Sequence, residues 1–161
     1  LSEAELIAQM DKLGIGTDAT IADHIKNVLE REFAEKPGGL FRPTRLGFAL
    51  FGAYKSLQMD LINPAKRAQT EVLYSKIAAG ESEPAPVFAA VMREMIENFR
   101  VLQQKTADFT RFFFEAYNAF PELSGAELSA EGLAEALLAV LSAELHGAAL
   151  ARVNSLLRAK Q

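Results

Sequence analysis

The 161-residue chain contains no cysteine and no tryptophan. Without cysteine it can form neither disulfides nor thiolate zinc sites, and it offers no cysteine nucleophile. Charged residues also break its longest apolar runs well before the length of a membrane span, so we expect no transmembrane helix. Half of the residues are hydrophobic and 24% are charged, which predicts a folded core and excludes a disordered chain.

The chain also lacks an initiator methionine, a basic leader and an apolar leader segment at its start, Leu1-Ser2-Glu3. We therefore expect it to be a piece of a longer protein. Its length allows one domain, or one domain with an appendage.

The net charge of −4 is unevenly distributed. Residues 12–67 carry nine Lys or Arg against six Asp or Glu, whereas residues 68–161 carry eight against twelve. A mildly basic front and an acidic back suit a local surface that contacts phosphate. The excess is small, so it supports this interpretation only together with other features.

The opening of the chain predicts two short helices joined by a turn. Ser2 and Glu5 have the spacing of a capping box, and apolar residues follow at helical intervals, so we expect a helix over about 3–12. The turn Gly14-Ile15-Gly16-Thr17-Asp18-Ala19-Thr20 comes next. Either Thr17 or Asp18 is expected to cap a second helix that ends near residue 31.

This turn is the candidate functional feature of the sequence. Its two glycines permit positive φ and let a ligand approach the backbone closely. Free N–H groups at the start of the second helix can hold an anion, which we interpret as a nucleic-acid phosphate. From the residues alone, a turn whose hydroxyls only cap the second helix is the alternative.

The residues after the second helix predict a β-hairpin. Pro37-Gly38-Gly39 lies between two short extended runs, a pattern typical of a hairpin turn. Two helices followed by a hairpin outline a winged-helix-like module, and helix–turn–helix modules place their second helix against nucleic acid. We therefore predict a mainly α chain with a winged-helix-like front over 1–60.

The rest of the chain predicts a helical scaffold over 61–120 and Ala/Leu-rich helices over 121–161. Thr44 is expected to cap a helix in which Gly47 and Gly52 allow close contact. Asn63-Pro64 should begin a core-facing helix that ends at Gly80. We further expect a linker over 81–86, a long amphipathic helix over 86–118 with a break near 106–108 and an end at Pro121, and two helices over about 129–145 and 147–159 that dock on the long helix.

Two motifs in order carry a resemblance to a known family. The first is Gly14-Ile15-Gly16-Thr17-Asp18-Ala19-Thr20, continued by Ala22-Asp23-His24-Ile25. The second is Phe41-Arg42-Pro43-Thr44-Arg45-Leu46-Gly47-Phe48-Ala49-Leu50, similar to the family pattern Phe-x-Pro-Thr-x-Leu-Gly-x-Ala-Leu. Together they resemble the C-terminal core of type IA DNA topoisomerases, and most of all the topoisomerase III group. The resemblance is good as far as Gly80, about half of the chain.

The resemblance implies an activity for the full enzyme. Type IA enzymes nick one DNA strand with a tyrosine, pass another strand through the gap and reseal it, with Mg²⁺ held by a TOPRIM domain. It implies that this segment lies beside the single-stranded DNA groove, with the remainder of the topoisomerase chain as its other partner. The expected location is the nucleus in a eukaryote and otherwise the cytoplasm, in either case inside the cell and not in a membrane.

The resemblance also implies which residues contact the strand. In the bacterial topoisomerase I branch the motif reads Gly-Ile-Gly-Arg-Pro-Ser-Thr, and its Arg and last Thr contact DNA. By position these become Thr17 and Thr20, and we expect the retained Thr20 to be the first contact. Thr17 thus replaces a basic contact, and Leu13 stands where topoisomerase III members usually have His. We expect Lys12 and Arg45 to be the main phosphate partners. The full set of expected DNA-binding residues is Lys12, Gly16, Thr17, Asp18, Thr20, His24, Arg42 and Arg45.

The catalytic machinery of the family is missing from this sequence. None of Tyr54, Tyr74 and Tyr117 lies in the family's Tyr-x-Arg-Thr context, and no Asp-x-Asp pair for Mg²⁺ is present. We expect no catalytic residue, no metal site and no cofactor in this chain, which alone should not cleave DNA. Mg²⁺ is implied only for the full enzyme.

Other interpretations stay open at this point. A stand-alone winged-helix protein could bind duplex DNA, and a helical interaction module could capture a protein partner through residues 121–161. The aromatic residues of 109–120 are expected to pack in the core, with a base-stacking platform as the alternative. For His24, packing between helices or at the surface is favoured over acid–base chemistry.

Overall fold

The computed structural model describes residues 1–123, 132 and 134–139. Residues 1–123 form six α-helices and a two-stranded sheet, which confirms the mainly α class. The helices are α1 (Glu3–Lys12), α2 (Ile21–Glu30), α3 (Arg45–Ser56), α4 (Pro64–Ala78), α5 (Pro84–Gln104) and α6 (Thr106–Leu123), and the strands are β1 (Ala34–Glu35) and β2 (Arg42–Pro43).

Helix α1 begins as its capping-box pattern predicts. The Ser2 hydroxyl accepts a hydrogen bond from the Glu5 backbone N–H, and the Glu5 carboxylate accepts one from the Ser2 N–H at 2.8 Å. The Ser2 backbone and side-chain donors hold the pKa of Glu5 below its usual value, because they stabilise the carboxylate. The apolar face of α1 is buried at Leu6 and Met10.

The expected cap of α2 is wrong in position and in kind. The helix begins at Ile21, and Thr20 precedes it without a side-chain capping hydrogen bond. The reason is the Thr20 backbone, whose φ of −118° and ψ of −16° differ from the extended conformation that aims a hydroxyl at the helix N–H groups. The Thr20 hydroxyl accepts from the Thr17 N–H instead, so it closes the turn and does not cap the helix.

The predicted hairpin is present and very short. Strands β1 and β2 are antiparallel, with Ala34 opposite Pro43 and Glu35 opposite Arg42. A single 3₁₀ turn over Pro37–Gly39 joins them, where two glycines have positive φ. A cross-strand ion pair joins Glu35 and Arg42 at 2.7 Å.

Helix α3 packs closely at both of its glycines. The Thr44 hydroxyl caps it by accepting from the Gly47 N–H, as predicted. A Cβ added at Gly52 would lie 2.8 Å from the Ala116 Cβ on α6, so the expected close helix contact is confirmed there. At Gly47 the close neighbour is the backbone carbonyl of Phe33, just before β1.

Helix α4 begins as predicted, with the Asn63 side chain accepting from the Ala65 N–H and Pro64 at the first position. It ends at Ala78, two residues before Gly80, which has a φ of +74°. The expectation of a core-facing helix is wrong, because the buried residue of α4 is Arg67, whereas the apolar Val72 is 54% exposed.

The long amphipathic segment differs from its prediction at both ends. The expected linker over 81–86 is wrong in its second half, because α5 already begins at Pro84. The chain breaks at Lys105, one residue before the expected 106–108. Helix α6 continues through Pro121 to Leu123, so the expected end at Pro121 is wrong.

The core lies in the N-terminal part and includes residues that come from the end of the described chain. Its buried side chains are Leu6, Met10, Ile15, Ile21, Ile25, Val28, Ala34, Phe41, Phe51 and Ala136–Ala139. Residues 134–139 are helical, and residues 136–139 are buried in this core. Docking on the long helix had been expected instead. Beyond these residues, the predicted helices over 129–145 and 147–159 lie outside the described residues.

Two further predictions concern the chain as a whole. The division into 1–60, 61–120 and 121–161 stays a prediction, although α3 packs on α6 across its first boundary. In the described ranges, no helix is both long enough and apolar enough to cross a membrane.

Candidate nucleic-acid interface

The turn between α1 and α2 begins with a hydrogen-bonded helix end. Gly14 has a φ of +66°, and its N–H donates to the Asp11 carbonyl at 3.0 Å. The Ile15 N–H donates to the Met10 carbonyl at 2.8 Å. This pair of bonds is the Schellman motif, and the two side chains that accompany it, Met10 and Ile15, are both fully buried. The turn is therefore anchored in the core at its first residues.

Gly16 lets the turn lie directly on α2. Its φ is +84°, and a Cβ added there would be 2.9 Å from His24 Cδ2. The same Cβ would be 3.2 Å from Ile21 Cγ1 and 3.2 Å from Thr20 Oγ1. Both the backbone conformation and the lack of space require glycine at this position.

Thr17 and Thr20 close the second half of the turn. The Thr17 N–H donates to Thr20 Oγ1 at 2.9 Å, and the Thr20 N–H donates to the Thr17 carbonyl at 2.8 Å. The two hydroxyl oxygens lie 3.2 Å apart. Thr17 is exposed and Thr20 is half-buried, so the Thr17 hydroxyl is the more accessible of the two.

Backbone donors remain available at the start of α2. Within the described part of the chain, the N–H groups of Asp18, Ala19, Ala22 and Asp23 have no hydrogen-bond acceptor, and all four residues are exposed. Such groups, together with the helix dipole, favour an anion. The carboxylates of Asp18 and Asp23 oppose one, so binding here needs help from nearby cations.

The His24 side chain of α2 packs against the turn at Gly16. It is 8% exposed and contacts the Gly16 backbone position. This agrees with the predicted packing role.

The three cations expected at the interface are in different situations. Lys12 is exposed and forms no ion pair with any residue that the structure describes. Arg42 is exposed and paired with Glu35. Arg45 donates from Nε to the Tyr117 carbonyl, and its guanidinium carbon lies 4.2 Å from the centre of the Tyr117 ring. Of these three cations, Lys12 is therefore the one that remains available to bind a ligand, whereas Arg45 joins α3 to α6.

Sequence reasoning missed the contribution of α4 to this site. Ala68 touches the turn, because a Cβ added at Gly14 would lie 3.0 Å from the Ala68 Cβ. Next to it, Arg67 is 5% exposed and paired with Glu71. Burial lowers the pKa of Arg67, and Glu71 opposes this shift. The contact joins residues 54 positions apart, so only the small size of Ala68 could have suggested it.

Among residues 1–123, 132 and 134–139, no three His, Asp or Glu side chains come together as metal ligands would.

Comparison with known proteins assigns the family. A family model described as DNA topoisomerase matches residues 1–89. DNA topoisomerase 3-alpha of Arabidopsis thaliana is 38% identical over 122 residues, covering 73% of this chain and 13% of that protein. DNA topoisomerase 3 of Candidozyma auris is 37% identical over 112 residues, covering 65% of this chain and 18% of that protein. DNA topoisomerase 3-beta of Arabidopsis thaliana is 33% identical over 130 residues, covering 80% and 15%.

This helical chain, with its glycine turn between α1 and α2, thus belongs to the DNA topoisomerase family. Within this family the chain is of the type IA, topoisomerase III-like kind. It spans less than a fifth of the length of these relatives. No solved structure matches it.

Proposed function

We propose that this chain is the part of a topoisomerase III-like enzyme that holds single-stranded DNA at the turn Gly14–Thr20. One observation carries the proposal. The turn exposes unpaired backbone N–H groups and the Thr17 hydroxyl at the start of α2, within the residues that the DNA topoisomerase family model matches.

Each residue of the turn has a role in this proposal. The Thr17 hydroxyl and the Lys12 ammonium group bind phosphate oxygens directly. The Gly16 backbone and the N–H of Asp18 allow the strand to approach closely. Thr20 shapes the turn, and its hydroxyl hydrogen, whose acceptors lie at 3.2 and 3.4 Å, can turn to a phosphate oxygen. Such contacts position a strand without reading its sequence.

The remaining predicted residues contribute less directly. His24 holds the turn from beneath. Arg42 adds positive charge at the hairpin, which in a winged-helix-like arrangement lies beside the strand. Arg45 acts by joining α3 to α6, because its Nε and its guanidinium face are already engaged with Tyr117.

In the full enzyme, the tyrosine that cleaves DNA and the acidic residues that bind Mg²⁺ belong to other segments. The role of this chain is to keep the strand in register while those segments act, inside the cell and, in a eukaryote, in the nucleus. A stand-alone duplex-binding protein and a helical interaction module are not favoured, because the relatives are topoisomerases.

The proposal is tested by titrating the chain into a labelled oligothymidine and following fluorescence anisotropy. We expect binding that is stronger for single-stranded than for duplex DNA and that weakens with salt. Thr17→Ala should weaken binding by about 2- to 10-fold, the worth of one hydrogen bond. Lys12→Ala should reduce the slope of log affinity against log salt by about 0.7, because one phosphate contact is lost.

Lys105→Ala is the matched control, since Lys105 is exposed at the junction of α5 and α6. It should leave both the affinity and the salt slope unchanged. Lack of single-strand binding at low salt, a preference for duplex, or equal slopes for Lys12→Ala and Lys105→Ala would each contradict the proposal.

A further inference from the structure

We propose that Ala68, near the start of α4, is a positioning residue for the turn Gly14–Thr20. This inference rests on the proposed function, because the turn is the part of the chain that we propose binds DNA. Ala68 itself touches no DNA: it sets where the turn stands relative to the rest of the chain.

The contact between the turn and α4 is a close approach of two backbones. A Cβ added at Gly14 would lie 3.0 Å from the Ala68 Cβ and 3.7 Å from the Ala68 Cα. Only one methyl group therefore separates the Gly14 backbone from the α4 backbone. Gly14 has a φ of +66°, so a residue with a Cβ at this position would strain the backbone of the turn.

The turn is anchored in the core at Ile15, and Ala68 of α4 contacts it at the preceding residue, Gly14. Its internal hydrogen bonds, from Gly14 to Asp11 and from Thr20 to Thr17, fix its shape. Gly16 rests on His24 of α2. The side that faces α4 has Ala68 as its support, so the thickness of this residue sets the distance between the turn and α4.

Helix α4 is well placed to act as a fixed support. Its first turn is capped by Asn63 and opened by Pro64. Arg67 is 5% exposed, so rotation of α4 about its own axis would move a buried guanidinium group towards solvent, whereas its partner Glu71 lies on the same helix. The exposed end of Lys66 pairs with Glu94 at 3.1 Å and links α4 to α5. When the residue at 68 is enlarged, we expect α4 to keep its place and the exposed part of the turn after Ile15 to shift.

The direct test replaces Ala68 by a larger and by a similar residue. Ala68→Leu should push the turn outward and weaken single-strand binding about fivefold or more, as expected for the loss of at least one hydrogen bond. Ala68→Ser, which is nearly the same size, should keep the native affinity. Ala78→Leu is the matched control, because Ala78 is exposed in the last turn of the same helix. Circular dichroism at the assay temperature confirms that each variant is folded.

A second measurement does not need DNA. Amide hydrogen exchange of Ile15 and Thr20, whose N–H groups bond to Met10 and Thr17 in the native turn, should accelerate in Ala68→Leu and stay native in Ala78→Leu and Ala68→Ser. Unchanged exchange in Ala68→Leu would overturn the inference. If the native chain fails to bind DNA while the exchange result holds, the proposed function fails and the contact stands.

A reciprocal swap checks that the effect passes through Gly14. Gly14→Ala should weaken single-strand binding, because its Cβ meets the Ala68 methyl group. Adding Ala68→Gly removes that methyl group and should recover part of the loss. Independent, additive effects of the two substitutions would contradict a direct positioning contact.

Discussion

At the scale of single residues, Arg45 shows how a local defect in one helix is repaired by another. Pro121 lies inside α6 and has no N–H, so the Tyr117 carbonyl four residues earlier lacks its helical donor. Arg45 Nε donates to that carbonyl, and its guanidinium stacks on the Tyr117 ring. The proline therefore does not end α6, and Arg45 is held in the contact between α3 and α6.

We expect Arg45→Ala to lower the free energy of unfolding by about 1–3 kcal/mol, because a hydrogen bond to a carbonyl and a cation–π contact are lost together. Urea denaturation followed by circular dichroism measures this change. Arg100→Ala removes an exposed arginine of α5 and should cost less than about 0.5 kcal/mol.

Measuring Arg45→Ala in the Pro121→Ala variant tests whether Arg45 compensates for the N–H that Pro121 lacks. Pro121→Ala restores an N–H for the Tyr117 carbonyl, so Arg45→Ala should then be less destabilising than in the native chain. An equal cost in both backgrounds would show that Arg45 does not compensate for the proline.

At the scale of elements, α3 is held by its two glycines against different neighbours. Gly47 admits the Phe33 carbonyl just before β1, and Gly52 admits the Ala116 methyl group of α6. Thr44, the cap of α3, also donates from its hydroxyl to the Glu32 carbonyl at 2.6 Å. The hairpin, α3 and α6 are therefore packed as one unit around α3.

The two glycines should differ in how well they tolerate alanine. A Cβ at position 47 would lie 2.0 Å from a backbone oxygen, which cannot yield without moving β1. Gly47→Ala should therefore lose more than about 3 kcal/mol of unfolding free energy or fail to fold. A Cβ at position 52 would lie 2.8 Å from a side-chain methyl group, and Gly52→Ala should cost about 1–2 kcal/mol.

Thermal melts of both variants provide the measurement. The ordering matters more than the individual values, because alanine is favoured over glycine in a helix by about 1 kcal/mol in each case. A Gly47→Ala variant as stable as Gly52→Ala would mean that the Phe33 carbonyl is not fixed against α3.

At the scale of the whole molecule, the N-terminal core is completed by residues from more than a hundred positions later. Leu137 is 1% exposed and belongs to the same buried cluster as Leu6 and Met10 of α1. Lys55 of α3 also pairs with Glu135 at 2.9 Å. The stretch 136–139 is thus buried inside the chain, which removes it from the surface through which the alternative interaction module would have captured a protein partner.

We expect Leu137→Ala to lower the free energy of unfolding by about 2–5 kcal/mol, since it opens a cavity in the core. Leu40→Ala is the control, because Leu40 is 57% exposed on the hairpin and should change stability by less than about 0.5 kcal/mol. Chemical denaturation gives both values. Equal effects of the two substitutions would contradict the burial of 136–139 in this core.

Much of the helical framework could be predicted because its signals are local. The capping box of α1, the Thr44 and Asn63 caps and the glycine hairpin turn each act within a few residues, and the structure confirms them. The predicted helix end at Pro121 and the predicted cap of α2 also rested on local signals, but both predictions are wrong. Other hydrogen bonds, from Arg45 to Tyr117 and between Thr17 and Thr20, outweighed these signals. For the candidate site, the motif Gly14–Thr20 was readable, whereas its support by Ala68 was not.

The sequence by itself determined the class of structure, the helix starts and the family motif, because these depend on backbone preferences and on residue order. The tertiary structure alone decided which groups meet across long distances. It directed Arg45 to Tyr117, brought Ala68 under Gly14 and buried 136–139 against α1. Such contacts depend on how elements pack, and packing is set by the shape and burial of all the elements together.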